Sequence, residues 1–314
     1  MGLLEGAKLA FIFPGQGSQA VGMGRDLAEN YPAAAAVFDR ADRALGYSIS
    51  DLCFRGPEDA LRQTVNTQPA LYVTSSAVFE VVKEHGLQPA ICAGHSVGEY
   101  AALYAAGAFG FEEGLRLVRT RAELMQDAAD ENPGAMAAIL GLSPEQVQQV
   151  LTQASETGMV DAANFNGPAQ IVISGETAAV ERAGEIATRM GAKRVVPLNV
   201  SGAFHSALMQ EAANALVEAL RGAQMAKRLA VPVVANYTAG LEWEDEEVRL
   251  NLARQITGSV RWTESVRKML DEGTEVFLEV GPGRVLAGLV RAIAPNANVC
   301  SVGDRASVEA LTQE

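Results

Sequence analysis

The chain has 314 residues, of which 48% are hydrophobic and 20% charged, enough apolar sequence for a large buried core. Its formal net charge of −13 argues against nucleic acid or an anionic membrane as a partner. Three widely spaced cysteines suit reduced thiols, and no apolar stretch is long enough to cross a bilayer, so a cytoplasmic protein is predicted.

Short β-rich runs alternate with long Ala-rich helical stretches along most of the chain. In chain order, the predicted elements outside the middle region are a strand at 9–13, helices at 26–45 and 71–86, a strand at 90–94, helices at 97–108 and 111–129, and strands at 231–237 and 275–280. This alternation predicts an α/β fold whose mostly parallel sheet has helices on both faces.

The middle of the chain follows a different order. The predicted elements there are a strand at 135–140, a helix at 144–156, strands at 159–164 and 170–175, a helix at 177–190 and a strand at 193–200. This split βαβ order is that of ferredoxin-like domains. We therefore expect residues 130–203 to form an inserted ferredoxin-like α+β subdomain, and residues 1–129 and 204–314 to form the larger domain. A cleft between them is the expected active site.

The stretch "GHSVG" (94–98) places Ser96 between two glycines, after a predicted strand and before a predicted helix. Gly-x-Ser-x-Gly in this context is the nucleophile elbow, a sharp turn that exposes the hydroxyl and leaves the next N–H to stabilise an oxyanion. The bare pattern is common, and an ordinary tight turn with a capping serine is the alternative. The strand–turn–helix context favours Ser96 as a nucleophile.

A serine nucleophile needs a base, and histidine is the usual one. Of the three histidines, His85 lies at a helix end, where an imidazole commonly caps carbonyls, and His95 adjoins the serine on a turn whose neighbours usually point apart. His205, in "GAFHSALM", remains and is favoured, although a lone histidine is more often structural. No acid with a loop signature stands out to orient it, which leaves a backbone carbonyl as the alternative.

The loop "GQGSQA" (15–20) follows the first predicted strand and fits a variant of the dinucleotide-binding fingerprint. That fingerprint also requires a second strand ending in an acid about twenty residues on, whereas Asp39 and Asp42 lie within a predicted helix. The loop can instead bring a second backbone N–H to the mouth of the elbow. With no Walker loop or zinc spacing, no metal or other cofactor is predicted.

Arg121 lies on the predicted helix 111–129. Small or apolar residues form one stripe of this helix, at positions 111, 114, 115, 118, 122 and 125. Arg121 projects at the edge of this stripe, next to Met125. Either its stem covers apolar surface with its head in water, or its guanidinium is held inward to pair with a carboxylate. Spacing alone does not choose between these interpretations.

Seven stretches occur in order between residues 13 and 289: "FPGQGSQ", "GHSVGEYAAL", "GAMAAILGL", "NFNGPAQIVISG", "GAFHSALM", "RQITGSVRW" and "LEVGPGRVLAGL". Together they resemble the malonyl-CoA:acyl carrier protein transacylases over nearly the whole chain. They are also similar to the acyltransferase domains of polyketide synthases. Val97 stands where the family usually has leucine, a minor departure because only the N–H of that residue is used.

The resemblance implies a hydrolase-like α/β domain with an inserted ferredoxin-like domain. It also implies a serine that takes a malonyl group from coenzyme A and transfers it to the phosphopantetheine thiol of acyl carrier protein. Carried over by position, Ser96 is the nucleophile and His205 the base. Malonyl-CoA is then a substrate, and acyl carrier protein is the partner.

The same resemblance assigns four further residues. Gln16 and Val97 supply the oxyanion hole through their N–H groups. Gln255, in "RQITGSVRW", matches the residue whose backbone carbonyl orients the histidine. Arg121 matches the arginine that pairs with the malonyl carboxylate, which favours the inward interpretation of its side chain.

An acidic chain that acts on an acidic carrier protein needs a local basic patch. Lys193 and Arg194, in "GAKRVV", open the last strand of the predicted subdomain about ten residues before His205 and are the candidates for carrier docking. A solvated pair at a strand start is at least as common. Arg284 and Arg291 can contribute from the larger domain.

The sequence therefore predicts a ping-pong acyltransferase that transfers malonyl groups from coenzyme A to acyl carrier protein in fatty acid synthesis. A serine esterase or thioesterase on the same elbow, a stand-alone polyketide acyltransferase, and a non-catalytic scaffold that only binds carrier protein are the alternatives. The missing triad acid and Arg121 count against a hydrolase.

Overall fold

The computed structural model describes Leu4 and residues 6–313. In this part of the chain there are ten strands: β1 (Leu9–Phe13), β2 (Ile91–Gly94), β3 (Ala135–Leu140), β4 (Val160–Gly167), β5 (Gln170–Gly175), β6 (Arg194–Pro197), β7 (Arg228–Val234), β8 (Leu241–Glu244), β9 (Val276–Val280) and β10 (Asn298–Val302).

Fourteen α-helices connect and cover these strands within the same described residues: α1 (Arg25–Asn30), α2 (Pro32–Leu45), α3 (Ile49–Arg55), α4 (Glu58–Arg62), α5 (Thr64–Glu84), α6 (Gly98–Ala105), α7 (Phe111–Glu131), α8 (Pro144–Ala154), α9 (Thr177–Arg189), α10 (Gln210–Arg221), α11 (Asp245–Gln255), α12 (Trp262–Asp271), α13 (Val285–Ile293) and α14 (Arg305–Gln313). None of these helices combines the length and the apolarity that crossing a membrane requires.

The larger sheet has six strands in the order β10-β9-β1-β2-β7-β8. All neighbours are parallel except β8, which runs antiparallel to β7. Successive side chains of a strand point to opposite faces, and in β1 Phe11 and Phe13 join one buried core while Ala10 and Ile12 join another. The first core is shared with α2, α5 and α7, and the second with α12 and α13. The predicted mostly parallel sheet is confirmed.

The smaller sheet has four antiparallel strands in the order β4-β5-β3-β6. Helices α8 and α9 cover it, and Ile139, Val150, Ile173 and Ile186 belong to a hydrophobic core of its own. The smaller sheet meets the rest of the chain next to β4, where the backbone N–H groups and carbonyls of residues 163, 165 and 260 exchange hydrogen bonds of 2.8 and 2.9 Å. The cavity that contains Ser96 lies beside this junction.

The prediction of one continuous helix over 26–45 is wrong. The chain breaks at Tyr31, whose φ and ψ of −125° and 115° are extended, and α2 begins at Pro32. The pyrrolidine ring disfavours helical backbone at the preceding residue and removes one N–H donor, so the helix ends and restarts.

The predicted start of the next long helix, at residue 71, is also wrong. Helix α5 begins seven residues earlier, at Thr64, and continues through Pro69. Most of this helix is buried, so tertiary packing outweighs the local cost of the proline. The extension brings Gln68 to the cavity that contains Ser96.

Candidate active site

Ser96 lies on a tight turn between β2 and α6. Its φ of 52° is in the left-handed region, which a non-glycine residue adopts at a cost of about 1–3 kcal/mol and mostly at functional sites. A Cβ atom on Gly94 would lie 2.0 Å from the carbonyl of Gly98, and one on Gly98 would lie 2.2 Å from the Phe13 carbonyl oxygen. Both glycines of the motif are therefore required by close backbone packing.

Asn236, two residues after the end of the neighbouring strand β7, holds the serine turn. Its Oδ1 accepts a hydrogen bond from the Ser96 backbone N–H at 2.7 Å, and its Nδ2 donates to the Gly94 carbonyl at 2.6 Å. The Ser96 N–H is thus occupied. The N–H of Val97 precedes the first turn of α6, so it has no acceptor within that helix.

His205 lies against the serine hydroxyl. Its Nε2 is 2.8 Å from Ser96 Oγ, and its Nδ1 is 2.8 Å from the backbone carbonyl oxygen of Gln255. Because a carbonyl can only accept, Nδ1 carries the proton and Nε2 presents its lone pair to the hydroxyl. His205 also has a left-handed φ, of 57°. The imidazole can therefore accept the hydroxyl proton, and the Gln255 carbonyl fixes its tautomer.

The charge state of His205 suits a base. Burial and the nearby Arg121 cation lower its pKa to about 3, although the Gln255 carbonyl opposes the shift. The imidazole is therefore neutral at physiological pH and free to accept a proton.

The other two histidines have different partners. The His85 Nδ1 lies 2.8 Å from the Val81 carbonyl oxygen at the end of α5. The His95 Nε2 lies 2.8 Å from Asn166 Oδ1, and its ring packs against Trp262 with centroids 5.6 Å apart. His95 thus links the serine turn to β4 of the smaller sheet.

Arg121 is buried, with only 1% of the residue exposed, and its guanidinium points inward from its helix. Its Nη2 donates to Ser96 Oγ and to Gln255 Oε1, both at 2.9 Å, and its Nη1 donates to Gln68 Oε1 at 2.5 Å. Among the described residues, nothing accepts a hydrogen bond from its Nε. A buried cation with a spare donor beside the serine can bind a substrate carboxylate.

These side chains line one cavity of about 90 Å³. Gln16, from the loop after β1, faces it together with Ser96, Arg121 and His205, while Met136 and Leu198 close it from the side of the smaller sheet. A larger cleft of about 720 Å³ also reaches His205, from the side of α8 and β4. Ser96 Oγ and His205 Nε2 thus lie where the two sheets meet.

Lys193 and Arg194 lie outside both of these clefts. Both are exposed at the start of the edge strand β6, and the chain leads from there to Leu198, which lines the small cavity. At the rise of a strand, this separates the pair from the cavity wall by about 15 Å. Arg284 and Arg291 lie together on a separate surface groove of about 420 Å³.

Sequence reasoning missed three buried polar residues of the site: Gln68, Asn236 and Glu99. Glu99 Oε2 accepts hydrogen bonds from Gln255 Nε2 at 2.8 Å and from the Asn236 N–H at 2.9 Å. The available signals were a glutamine inside an apolar helix, an asparagine after a buried strand, and an acid three residues after the serine. Polar groups at the carboxyl ends of parallel strands commonly line a site.

The chain is similar to a known protein family and to known proteins and structures. The acyl transferase domain family matches residues 10–304. The malonyl CoA-acyl carrier protein transacylase of Bacillus subtilis is 46% identical over 308 residues, which cover 98% of this chain and 97% of that protein. An acyl carrier protein S-malonyltransferase from Vibrio cholerae superposes with a TM-score of 0.94 at 43% identity, covering 97% of this chain and 100% of that one.

A second similar structure is a malonyl-transacylase in complex with a type II polyketide synthase acyl-carrier protein. It superposes with a TM-score of 0.95 at 42% identity, covering 98% of this chain and 99% of that one. Family match, identity and coverage agree along almost the whole length. The chain therefore belongs to the acyl transferase domain family and, within it, to the malonyl CoA-acyl carrier protein transacylases.

Proposed function

We propose that this chain transfers a malonyl group from malonyl-CoA to the phosphopantetheine thiol of acyl carrier protein through a malonyl ester of Ser96. The observation that carries the proposal is the contact of Ser96 Oγ with both His205 Nε2 and Arg121 Nη2, at 2.8 and 2.9 Å. One partner can activate the hydroxyl, and the other can bind the free carboxylate of the acyl group. The activity agrees with the names of the relatives.

In the first half-reaction, His205 Nε2 takes the proton of Ser96 Oγ while the oxygen attacks the thioester carbonyl. The N–H groups of Val97 and Gln16 hold the oxyanion of the tetrahedral intermediate. The C–S bond then breaks, and the proton on His205 leaves with the coenzyme A thiol. The Gln255 carbonyl keeps the imidazole in the required tautomer throughout.

In the second half-reaction, the phosphopantetheine thiol of the carrier protein takes the place of coenzyme A. His205 accepts the thiol proton, the sulfur attacks the malonyl-serine carbonyl, and the C–O bond to Ser96 breaks as the proton returns to Oγ. No change of redox state occurs, and the steps use only protein groups, so the mechanism requires no cofactor.

Intact-protein mass spectrometry tests this function directly. Incubation with malonyl-CoA alone is expected to add the mass of one malonyl group, and subsequent holo-carrier protein is expected to remove it and to gain the same mass. A protein that binds the carrier but never gains the malonyl mass would be a scaffold. Loss of the adduct to water at the same rate with and without carrier would identify an esterase.

Arg121 is expected to determine acyl selectivity. Arg121→Ala leaves the malonyl carboxylate unpaired in a buried site, which costs about 2–5 kcal/mol of transition-state stabilisation. An acetyl group has no carboxylate, so acylation by acetyl-CoA is expected to lose much less. Second-order rate constants of acylation with the two thioesters measure the difference.

The matched control for Arg121→Ala is Arg119→Ala on the same helix. The Arg119 guanidinium is about half exposed and pairs with Glu123 at 2.8 Å, so its removal is expected to change neither rate. Equal losses for malonyl and acetyl groups in Arg121→Ala would assign that arginine a structural role instead.

Lys193 and Arg194 are proposed to dock the acidic carrier protein. Their exposure and their place at the outer end of β6 support this, since the strand leads inward to the cavity wall. We expect the double variant Lys193→Glu and Arg194→Glu to slow transfer to the carrier, most strongly at low salt, while acylation by malonyl-CoA continues.

The control is a second double variant, Arg182→Glu with Arg189→Glu, which makes the same change in net charge on α9. Stopped reactions at several salt concentrations separate an electrostatic effect from misfolding. Carrier kinetics that stay unchanged across the salt range would show that Lys193 and Arg194 are only a solvated pair.

We further propose that residues 1–129 and 204–314 form one hydrolase-like domain with Ser96 on its nucleophile elbow, and that residues 130–203 form an inserted ferredoxin-like subdomain. The separate core of the smaller sheet and its strand order support this division.

A cytoplasmic location stays a prediction. Burial raises the pKa of the Cys53 thiol to about 12, which fits a structural, unreactive cysteine.

A further inference from the structure

Two carboxyl groups are buried behind the active site. Glu99, on α6, has no exposed surface, and Glu242, on β8, is 1% exposed. Neither takes part in an ion pair with the described residues. Oε1 of each carboxyl group has no hydrogen-bond partner among the described residues. Burying a carboxyl group without an ion-pair partner costs free energy when the group is ionised, so these two residues are candidates for a functional role.

Glu99 is linked to Arg121 through a single side chain. Gln255 Nε2 donates to Glu99 Oε2 at 2.8 Å, while Gln255 Oε1 accepts from Arg121 Nη2 at 2.9 Å. The amide therefore joins the carboxylate to the guanidinium, and its dipole is aligned with both charges. When Glu99 is ionised, it partly neutralises the cation that binds the malonyl carboxylate.

The surroundings of Glu99 decide when it ionises. The charged and titratable groups that face it are Arg121 from α7, Glu242 from β8 and the neighbouring Tyr100, whose hydroxyl is buried. Burial raises the pKa of Glu99 to about 7 against the opposing effects of two hydrogen bonds and of Arg121. Burial and the Glu99 charge raise the pKa of Glu242 well above its ordinary value. Glu99 therefore changes its charge around neutral pH, and burial also disfavours the charged form of Glu242.

We propose that Glu99 is a positioning residue whose ionisation weakens the hold of Arg121 on the malonyl carboxylate, which makes the preference for malonyl over uncharged acyl groups depend on pH. The proposal rests on the function proposed above. Below the pKa of Glu99 the guanidinium is the full counter-charge of the substrate. Above it, two carboxylates share one cation.

The other groups of the site do not produce this dependence. The malonyl carboxylate stays ionised throughout the neutral range, since ordinary carboxyl groups titrate near pH 4. His205, with its pKa lowered to about 3, stays neutral over the same range. Arg121 remains charged as well, although burial lowers its pKa.

The first test uses the unaltered protein. The ratio of acylation rate constants for malonyl-CoA and acetyl-CoA, followed by intact mass between pH 5.5 and 8.5, is expected to fall about tenfold with a midpoint near 7. Any effect of pH on Ser96, His205 or folding changes both rate constants by the same factor and therefore cancels in their ratio. A ratio that stays flat over this range overturns the proposal.

The second test uses Glu99→Gln. The glutamine carbonyl can take the place of Oε2 and accept from Gln255 and Asn236, so the variant removes the charge and keeps both hydrogen bonds. We expect its malonyl-to-acetyl ratio to stay high and flat across the pH range. A structural role alone would change both rates equally and would leave the pH profile of the ratio as it is, which contradicts the proposal.

Glu242→Gln is the matched control. It keeps the acceptor for Asn251 Nδ2, which lies 2.9 Å from Glu242 Oε2, and removes the second titratable carboxyl group. The pH profile of the ratio is expected to persist, and its disappearance would assign the titration to Glu242 and refute the assignment to Glu99. Failure of the proposed function is distinguishable, because no malonyl adduct would then form at any pH.

Discussion

Replacing Ser96 by alanine is expected to abolish the covalent malonyl adduct while the protein stays folded. The substitution removes only Oγ, and the backbone at this position keeps its anchor, because the Ser96 N–H donates to Asn236 Oδ1 through a group that alanine retains. His205 and Arg121 each lose one contact, at 2.8 and 2.9 Å, in a cavity that water can enter. Intact mass after incubation with malonyl-CoA, together with thermal unfolding, measures both parts of the expectation.

Ser174→Ala is a suitable control for the loss of a buried serine hydroxyl. Ser174 is fully buried on β5 of the smaller sheet, and its hydroxyl has no hydrogen-bond partner among the described residues. The adduct is expected to form in this variant at the unaltered rate. A malonyl adduct that persists in Ser96→Ala would show that another side chain is the nucleophile, and peptide mapping would locate it.

The larger sheet and the turn that carries Ser96 were accessible from the sequence because both depend on local patterns. Strands that are buried on both faces appear in the sequence as short apolar runs. The glycines at 94 and 98 indicate a turn that has no space for a Cβ atom. The break at Tyr31 and the early start of α5 were missed for opposite reasons. In the first a proline overrode an apolar pattern, and in the second tertiary packing overrode a proline.

The surroundings of the serine could be predicted only in part. A backbone acceptor has no side-chain signature, so spacing could not identify the Gln255 carbonyl, and only the family resemblance pointed to it. Spacing left the direction of the Arg121 side chain open, because a single helix does not reveal that Gln68, 53 residues away, lies opposite with an acceptor for its guanidinium. Glu99 was passed over because its partners, Gln255 and Asn236, come from distant parts of the chain.

His205→Ala is expected to slow acylation by about 10²–10⁴-fold, the usual contribution of a positioned base. The residue supplies the lone pair that faces Ser96 Oγ at 2.8 Å, and alanine leaves no acceptor in its place. His85→Ala serves as the control, since that imidazole lies against the Val81 carbonyl at the end of α5 and is expected to affect stability alone. Single-turnover acylation with malonyl-CoA measures both variants.

The pH dependence of the acylation rate of the unaltered protein tests whether His205 acts as a neutral base or titrates like an ordinary histidine. Because the folded-state pKa of His205 is lowered to about 3, the base stays unprotonated as the pH falls through the usual histidine range near 6.5. Acylation by acetyl-CoA, which lacks the carboxylate that Glu99 and Arg121 affect, is therefore expected to stay constant from pH 8 to pH 5. A loss of rate with a midpoint near 6.5 that is absent from His205→Ala would show that the imidazole titrates normally, and the buried, carbonyl-oriented geometry would then not describe the working base.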